Sequence, residues 1–206
     1  MVQAGTLFGY LAAFVTIVLA LALSDLLISL HRLLRARKRV IWRPLPLVLA
    51  TFIALSLLSC FFELWDMTGW DSLSYYGLVW QVTEYVPVFL AACAALPDEV
   101  PEAGIDMNEF YFAERRYIVA LLAIAFLFNL GDAVVNRWDD IFAGSDFTRF
   151  FLTMFLPMNL LTAASFAAIA WSGRKWLHWL SFLVLFGLAH IGYSDFVVQG
   201  ATALVH

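Results

Sequence analysis

Six apolar stretches, each close to twenty residues long and each cut off by charged or proline-bearing segments, leave this chain few ways to fold. A bilayer hydrocarbon core ~30 Å thick needs roughly 20 apolar residues per helix. Inside lipid, every backbone N–H and C=O of an open segment must be satisfied within that segment, which selects helices. The stretches therefore predict transmembrane helices over about 7–30, 45–64, 74–96, 117–135, 150–171 and 176–198. A soluble domain is excluded by composition: 63% of the 206 residues are apolar, 14% are charged and mean hydropathy is +0.85. That is more apolar surface than a domain of this size can hide from water. The 19 Phe, 8 Trp and 7 Tyr suit the aromatic belts of a bilayer. The expected fold is an all-α polytopic bundle, one transmembrane domain over 1–206, with Pro87 and Pro157 kinking the third and fifth helices.

Orientation follows from the basic residues. Arg32, Arg35, Arg37, Lys38, Arg39 and Arg43 lie between the first two runs, Arg115 and Arg116 precede the fourth, and Arg174 and Lys175 separate the fifth and sixth. Only Arg137 and Arg149 fall on the other side. Positive charge collects on the cytoplasmic face, so both termini are expected outside, N-out and C-out. The first run lacks a basic segment before it, and its positive charges follow it, so it reads as a retained helix and not a signal peptide.

Polar groups inside the runs are costly to leave in lipid and often mark function. Glu84 lies about ten residues into the third run, roughly 15 Å deep. Ser74, Gly77, Gln81 and Glu84 are spaced three, four and three apart, on one helical face. Pro87 follows within a turn and loosens the backbone ladder, an arrangement suited to a proton or cation site. The second run carries Ser56, Ser59, Glu63 and Asp66 at the same spacing, and the fourth carries Asn129, Asp132 and Asn136. Asn159 sits at mid-depth beside Pro157, and His190 lies at about the depth of Glu84 on the sixth run, with Gly187, Ser194 and Asp195 near its face. An imidazole there can relay protons or bind a metal. Asp25 shares a face with Ser29 and Arg32, which points to a structural Asp25–Arg32 pair. Arg137 has Asp132 and Asp139 within reach. Arg35, Arg37, Lys38 and Arg39 face the lipid surface and attract anionic headgroups. Gly5 and Gly9 form one GxxxG, a motif of close helix packing.

No P-loop, HExxH, GxSxG or dinucleotide fingerprint is present, and nothing points to nucleic acid. Cys60 and Cys93 lie inside apolar runs, without a CxxC motif. His178 and His190 share the sixth run at two levels, but the remaining histidines, His31 and His206, cannot complete two haem sites. Lys38 and Lys175 lie in loops, which rules out a retinal Schiff base. No cofactor or metal is implied.

Two stretches, SDLLISLHRLLR over 24–35 and FYFAERRY over 110–117, together with the six-helix layout, resemble a broad set of small bacterial inner-membrane proteins of uncharacterised activity. The resemblance implies a bacterial inner membrane and carries no reaction with it. The leading functional expectation is passage of a proton or small cation at a site drawn from Glu84, His190, Asn129, Asp132, Glu63, Gln81 and Asn159. The alternative is a non-enzymatic membrane scaffold or sensory subunit in which these groups only hold helices together. A metal-dependent membrane hydrolase using His190 ranks third, because zinc sites need three or four convergent ligands. Expected partners are the bilayer, anionic headgroups on the cytoplasmic face and a second copy in a homo-oligomer.

Overall fold

The computed structural model describes residues 4–66, 75–143 and 146–203. Its helices are α1 (Ala4–Arg35), α2 (Pro44–Asp66), α3 (Tyr75–Ala94), α4 (Met107–Asn136), the short α5 (Trp138–Phe142) and α6 (Asp146–Phe150), α7 (Leu156–Trp171) and α8 (Lys175–Ala203). Four stretches are long and apolar enough to cross a membrane: Leu11–Arg35, Pro44–Phe62, Met107–Val135 and Asp146–Trp171. The described parts of α3 and α8 add shorter apolar segments, Val79–Ala94 and Lys175–Ile191. The protein is therefore all-α and a multi-pass membrane protein. The chain divides into two compact units, Met1–Asn129 and Leu130–His206.

In the first unit, α1 buries Leu11, Val15, Leu19, Ala22, Leu26, Ser29 and Leu33. Their spacing of three and four keeps one stripe facing its neighbours from Leu11 to Leu33. α1 packs chiefly on α3 and then on α2. The opposite face of α1 is not polar: Phe14, Ile17, Leu21, Leu27, Ile28 and Leu34 are all exposed. An apolar inside and an apolar outside on one helix require lipid as the solvent. Gly9 meets open space, so the GxxxG of this helix makes no close approach at that residue.

Hydroxyls within the helices are mostly satisfied on their own backbone. Ser56 donates to the Phe52 carbonyl (3.0 Å), Ser59 to Leu55 (2.8 Å) and Ser165 to Leu161 (2.8 Å). This four-residue back-bond lets a polar residue lie in an apolar helix without another partner. It accounts for the serine stripe of α2, whose Glu63 and Asp66 side chains lie outside the described residues.

Two connections meet. After α1, a single 3-10 turn (Arg37–Arg39) leads into β1 (Val40–Ile41), which pairs in parallel with β2 (Ile105–Asp106), Val40 against Ile105 and Ile41 against Asp106. The α1–α2 and α3–α4 connections thus lie together at one end of the first unit. Gly104 makes the approach possible: its φ of 89° suits glycine, and a Cβ there would stand 2.6 Å from the Arg39 carbonyl oxygen.

Helix α4 begins at Met107, well before the expected start near 117. The cause is a cap. The Asp106 carboxylate accepts a hydrogen bond from the Asn108 N–H at 2.7 Å, and Glu109 adds an acid in the first turn. The stretch FYFAERRY is therefore helical, and Arg115 and Arg116 lie on α4 and not in the loop.

In the second unit α7 and α8 form a helical hairpin joined by Ser172–Arg174. α7 is preceded by a π-turn over Phe151–Phe155, in which the Leu156 N–H reaches the Phe151 carbonyl. Pro157 follows at once; it lacks the donor that an α-helix would direct at the Thr153 carbonyl. In α3, by contrast, Pro87 lies inside an uninterrupted helix.

Candidate functional site

The buried polar centre of the first unit is on α3. The Gln81 amide donates to Glu84 Oε2 at 3.2 Å, and both side chains are buried, at 5% and 7% exposure. One helical turn brings the two together, as their three-residue spacing predicts. Tyr85, at 1% exposure, lies beside them on the same helix, and Pro87 and Val88 continue the buried face. A buried carboxyl, oriented by an amide, thus stands a turn before a proline in an apolar helix.

A second polar cluster lies at the end of the α1–α3 seam. The Ser29 hydroxyl, almost fully buried, donates to Asp98 Oδ1 at 3.2 Å, and the Arg32 guanidinium donates to the Asp98 carbonyl at 3.0 Å. The Asp25 carboxyl lies near enough to the Cys93 thiol of α3 to act on it electrostatically. The one-face spacing of α1 points Arg32 at Asp25, whereas the guanidinium bonds the Asp98 carbonyl. Asp98 follows Pro97 in the connection after α3, and this acidic loop pairs with the basic α1–α2 loop through β1 and β2. That charge complementarity was the available signal.

The other sequence candidates are dispersed. Asn159 donates to the Phe155 carbonyl at 2.8 Å, across the π-turn, so its amide serves the local backbone. Asp132 is half-buried, Asn129 is exposed, and His190 on α8 is exposed. The Ser194 and Asp195 side chains near it lie outside the described residues. Arg137 pairs with Asp140 at 3.6 Å and not with Asp132 or Asp139, and stands 5.4 Å over the Phe147 ring. With both side chains more than half exposed, that ion pair contributes at most about 1 kcal/mol. Among the described residues no three of His, Cys, Asp and Glu converge as metal ligands, so the hydrolase reading finds no ligand set there.

His178 is fully buried, and its Nε2 lies 3.0 Å from the Ser172 carbonyl, tying α8 to the hairpin turn. Ser172 Oγ also accepts from the Arg174 N–H at 3.0 Å. His178→Ala is expected to cost about 2–4 kcal/mol, from the cavity and the lost hydrogen bond. Thermal unfolding in detergent measures it, and an unchanged midpoint would remove His178 from the hairpin's support.

The basic residues Arg35, Arg37, Lys38 and Arg39 are all exposed and gather in the turn after α1. Arg115, in contrast, is buried on α4, with its guanidinium 4.5 Å over the Phe112 ring. No family model, curated protein or solved structure matches the chain. What can be said of its activity therefore comes from its own residues.

Proposed function

We propose that this membrane protein passes a proton or small cation, with Glu84 as the group that binds it. The observation that carries this reading is the buried Glu84–Gln81 pair in the middle of an apolar helix, a turn before Pro87. An ionisable group is expensive to keep in such surroundings, and retention there points to use. The cluster of Asp25, Cys93, Ser29 and Asp98 stands further along the same α1–α3 seam, a polar step toward the aqueous end. Reconstitution in liposomes, with imposed gradients of protons, sodium and potassium in turn, tests the proposal. A protein-dependent flux of one of them is the expected result, and no flux above empty vesicles would refute it.

The second reading is a scaffold, favoured by the same Gln81 hydrogen bond, because a satisfied carboxyl also suits a purely structural role. The variant that separates the two readings is Glu84→Gln.

The proposed orientation places the basic loops in the cytoplasm, in a bacterial inner membrane. The pairing of β1 with β2 supports it, since it holds together two loops that the charge distribution assigns to one side. Reporter fusions within 32–43 and 172–175 are expected to signal from the cytoplasm, and fusions within 137–149 or after His206 from the periplasm. A cytoplasmic signal at the C-terminus would overturn this orientation.

A further inference from the structure

The turn after α1 is concave as well as basic. Leu34, Arg35, Ala36, Arg37, Lys38 and Arg39 line an open depression of about 640 Å³. We propose that this depression is a seat for the phosphate headgroup of an anionic phospholipid. Four features carry the assignment.

First, the four cations fall within five consecutive residues, and among the described residues none of them is held in an ion pair. Among the described residues none of the acids of the α3–α4 connection forms an ion pair with them: the Asp98 carboxylate accepts from Ser29, the Asp106 carboxylate accepts from the Asn108 N–H, and Glu99 and Glu102 are exposed. Second, the backbone that carries the cations is fixed. The Ala36 N–H donates to the Arg32 carbonyl at 3.0 Å, and the Arg39 N–H to the Ala36 carbonyl at 2.8 Å. The β1–β2 pairing and Gly104 then hold the turn from the other side. A fixed turn presents its donors without an ordering cost at the moment of binding.

Third, arginine forks match phosphate oxygens bidentately, and three of the four cations are arginine. Fourth, the wall is amphipathic. Leu34 belongs to the lining and is 53% exposed, and Ile41 just beyond the turn is 54% exposed. A free phosphate gains nothing from these side chains, whereas a lipid lays its glycerol and upper acyl carbons on them. The occupant is therefore a lipid of the surrounding leaflet. Its headgroup charge is read by the turn and its apolar part by Leu34 and Ile41.

The site stands apart from Glu84, and its test does not depend on flux. The full-length protein in nanodiscs is titrated with headgroup-labelled phosphatidylglycerol, with phosphatidylcholine and inorganic phosphate as competitors. Phosphatidylglycerol is expected to be retained against both. Arg37→Gln and Lys38→Gln should each weaken binding about five-fold, whereas Arg43→Gln, a matched charge outside the depression, should weaken it less than about two-fold. Equal losses at all three positions would mean diffuse attraction by net charge and would overturn the seat. Displacement by millimolar phosphate alone would overturn the lipid assignment. Glu84→Gln should bind lipid as the parent does, so failure of the passage reading leaves this result standing.

Discussion

Glu84→Gln is expected to abolish protein-dependent flux in liposomes while leaving the fold intact. Glutamine has the size and shape of glutamate, and its Oε1 can accept the hydrogen bond that Gln81 Nε2 now gives to Glu84 Oε2 at 3.2 Å. The substitution therefore removes the ability to hold and release a proton or counter a cation, and little else. Stability should change by less than about 1 kcal/mol, since an isosteric swap at a satisfied site leaves packing in place. Flux should fall to the leak of empty vesicles. Glu84→Ala is the contrasting variant. It strips Gln81 of this acceptor in a buried position, at a cost of about 1–3 kcal/mol from desolvation alone. A Glu84→Gln protein that unfolds at the parental temperature and conducts at the parental rate would return Glu84 to a packing role.

The second large effect is expected at Gly104. Its φ of 89° is costly for any residue with a Cβ, and the added carbon would stand 2.6 Å from the Arg39 carbonyl oxygen, a backbone atom that cannot swing aside. Gly104→Ala should therefore destabilise the first unit by at least about 2 kcal/mol. Unfolding in detergent, followed by helical circular dichroism, measures the change. Gly131→Ala and Gly187→Ala are controls, because a Cβ at either meets nothing within 4 Å. Both lie in helices, where alanine is favoured by up to ~1 kcal/mol. If Gly104→Ala matched these controls, the β1–β2 pairing would not support the fold.

The helices and the Glu84–Gln81 pair were legible because both rest on local rules. Apolar length sets the spans, and a three-residue spacing puts two side chains on one face whatever surrounds them. The basic turn was legible as charge but not as a concavity, since its shape depends on β2 and Gly104, far along the chain. Asp98 escaped for the same reason: its partners Ser29 and Arg32 are 69 and 66 residues away, and no helical periodicity reports a contact at that range. The charges of FYFAERRY suggest a loop, yet α4 already starts at Met107. The Asp106 cap, with an acid three residues later, is a stronger signal than the mean polarity of the segment. Arg137 went to Asp140 because a short helix over Trp138–Phe142 set the local geometry, a detail that the spacing of charges alone does not contain.

Asp106 takes part in two structures at once. Its backbone lies against Ile41 in the strand pair, and its carboxylate caps α4. During synthesis α1, α2 and α3 all leave the ribosome before this residue does. Until it emerges, the basic turn has no strand to lean on and α4 has no first turn. Its arrival gives the turn after α1 its strand partner and caps the next helix in the same event. A nascent chain halted just before Ile105 should hold its first three helices loosely, and one halted after the first turns of α4 should hold them fast. Asp106 thereby couples the seating of the basic turn to the start of α4.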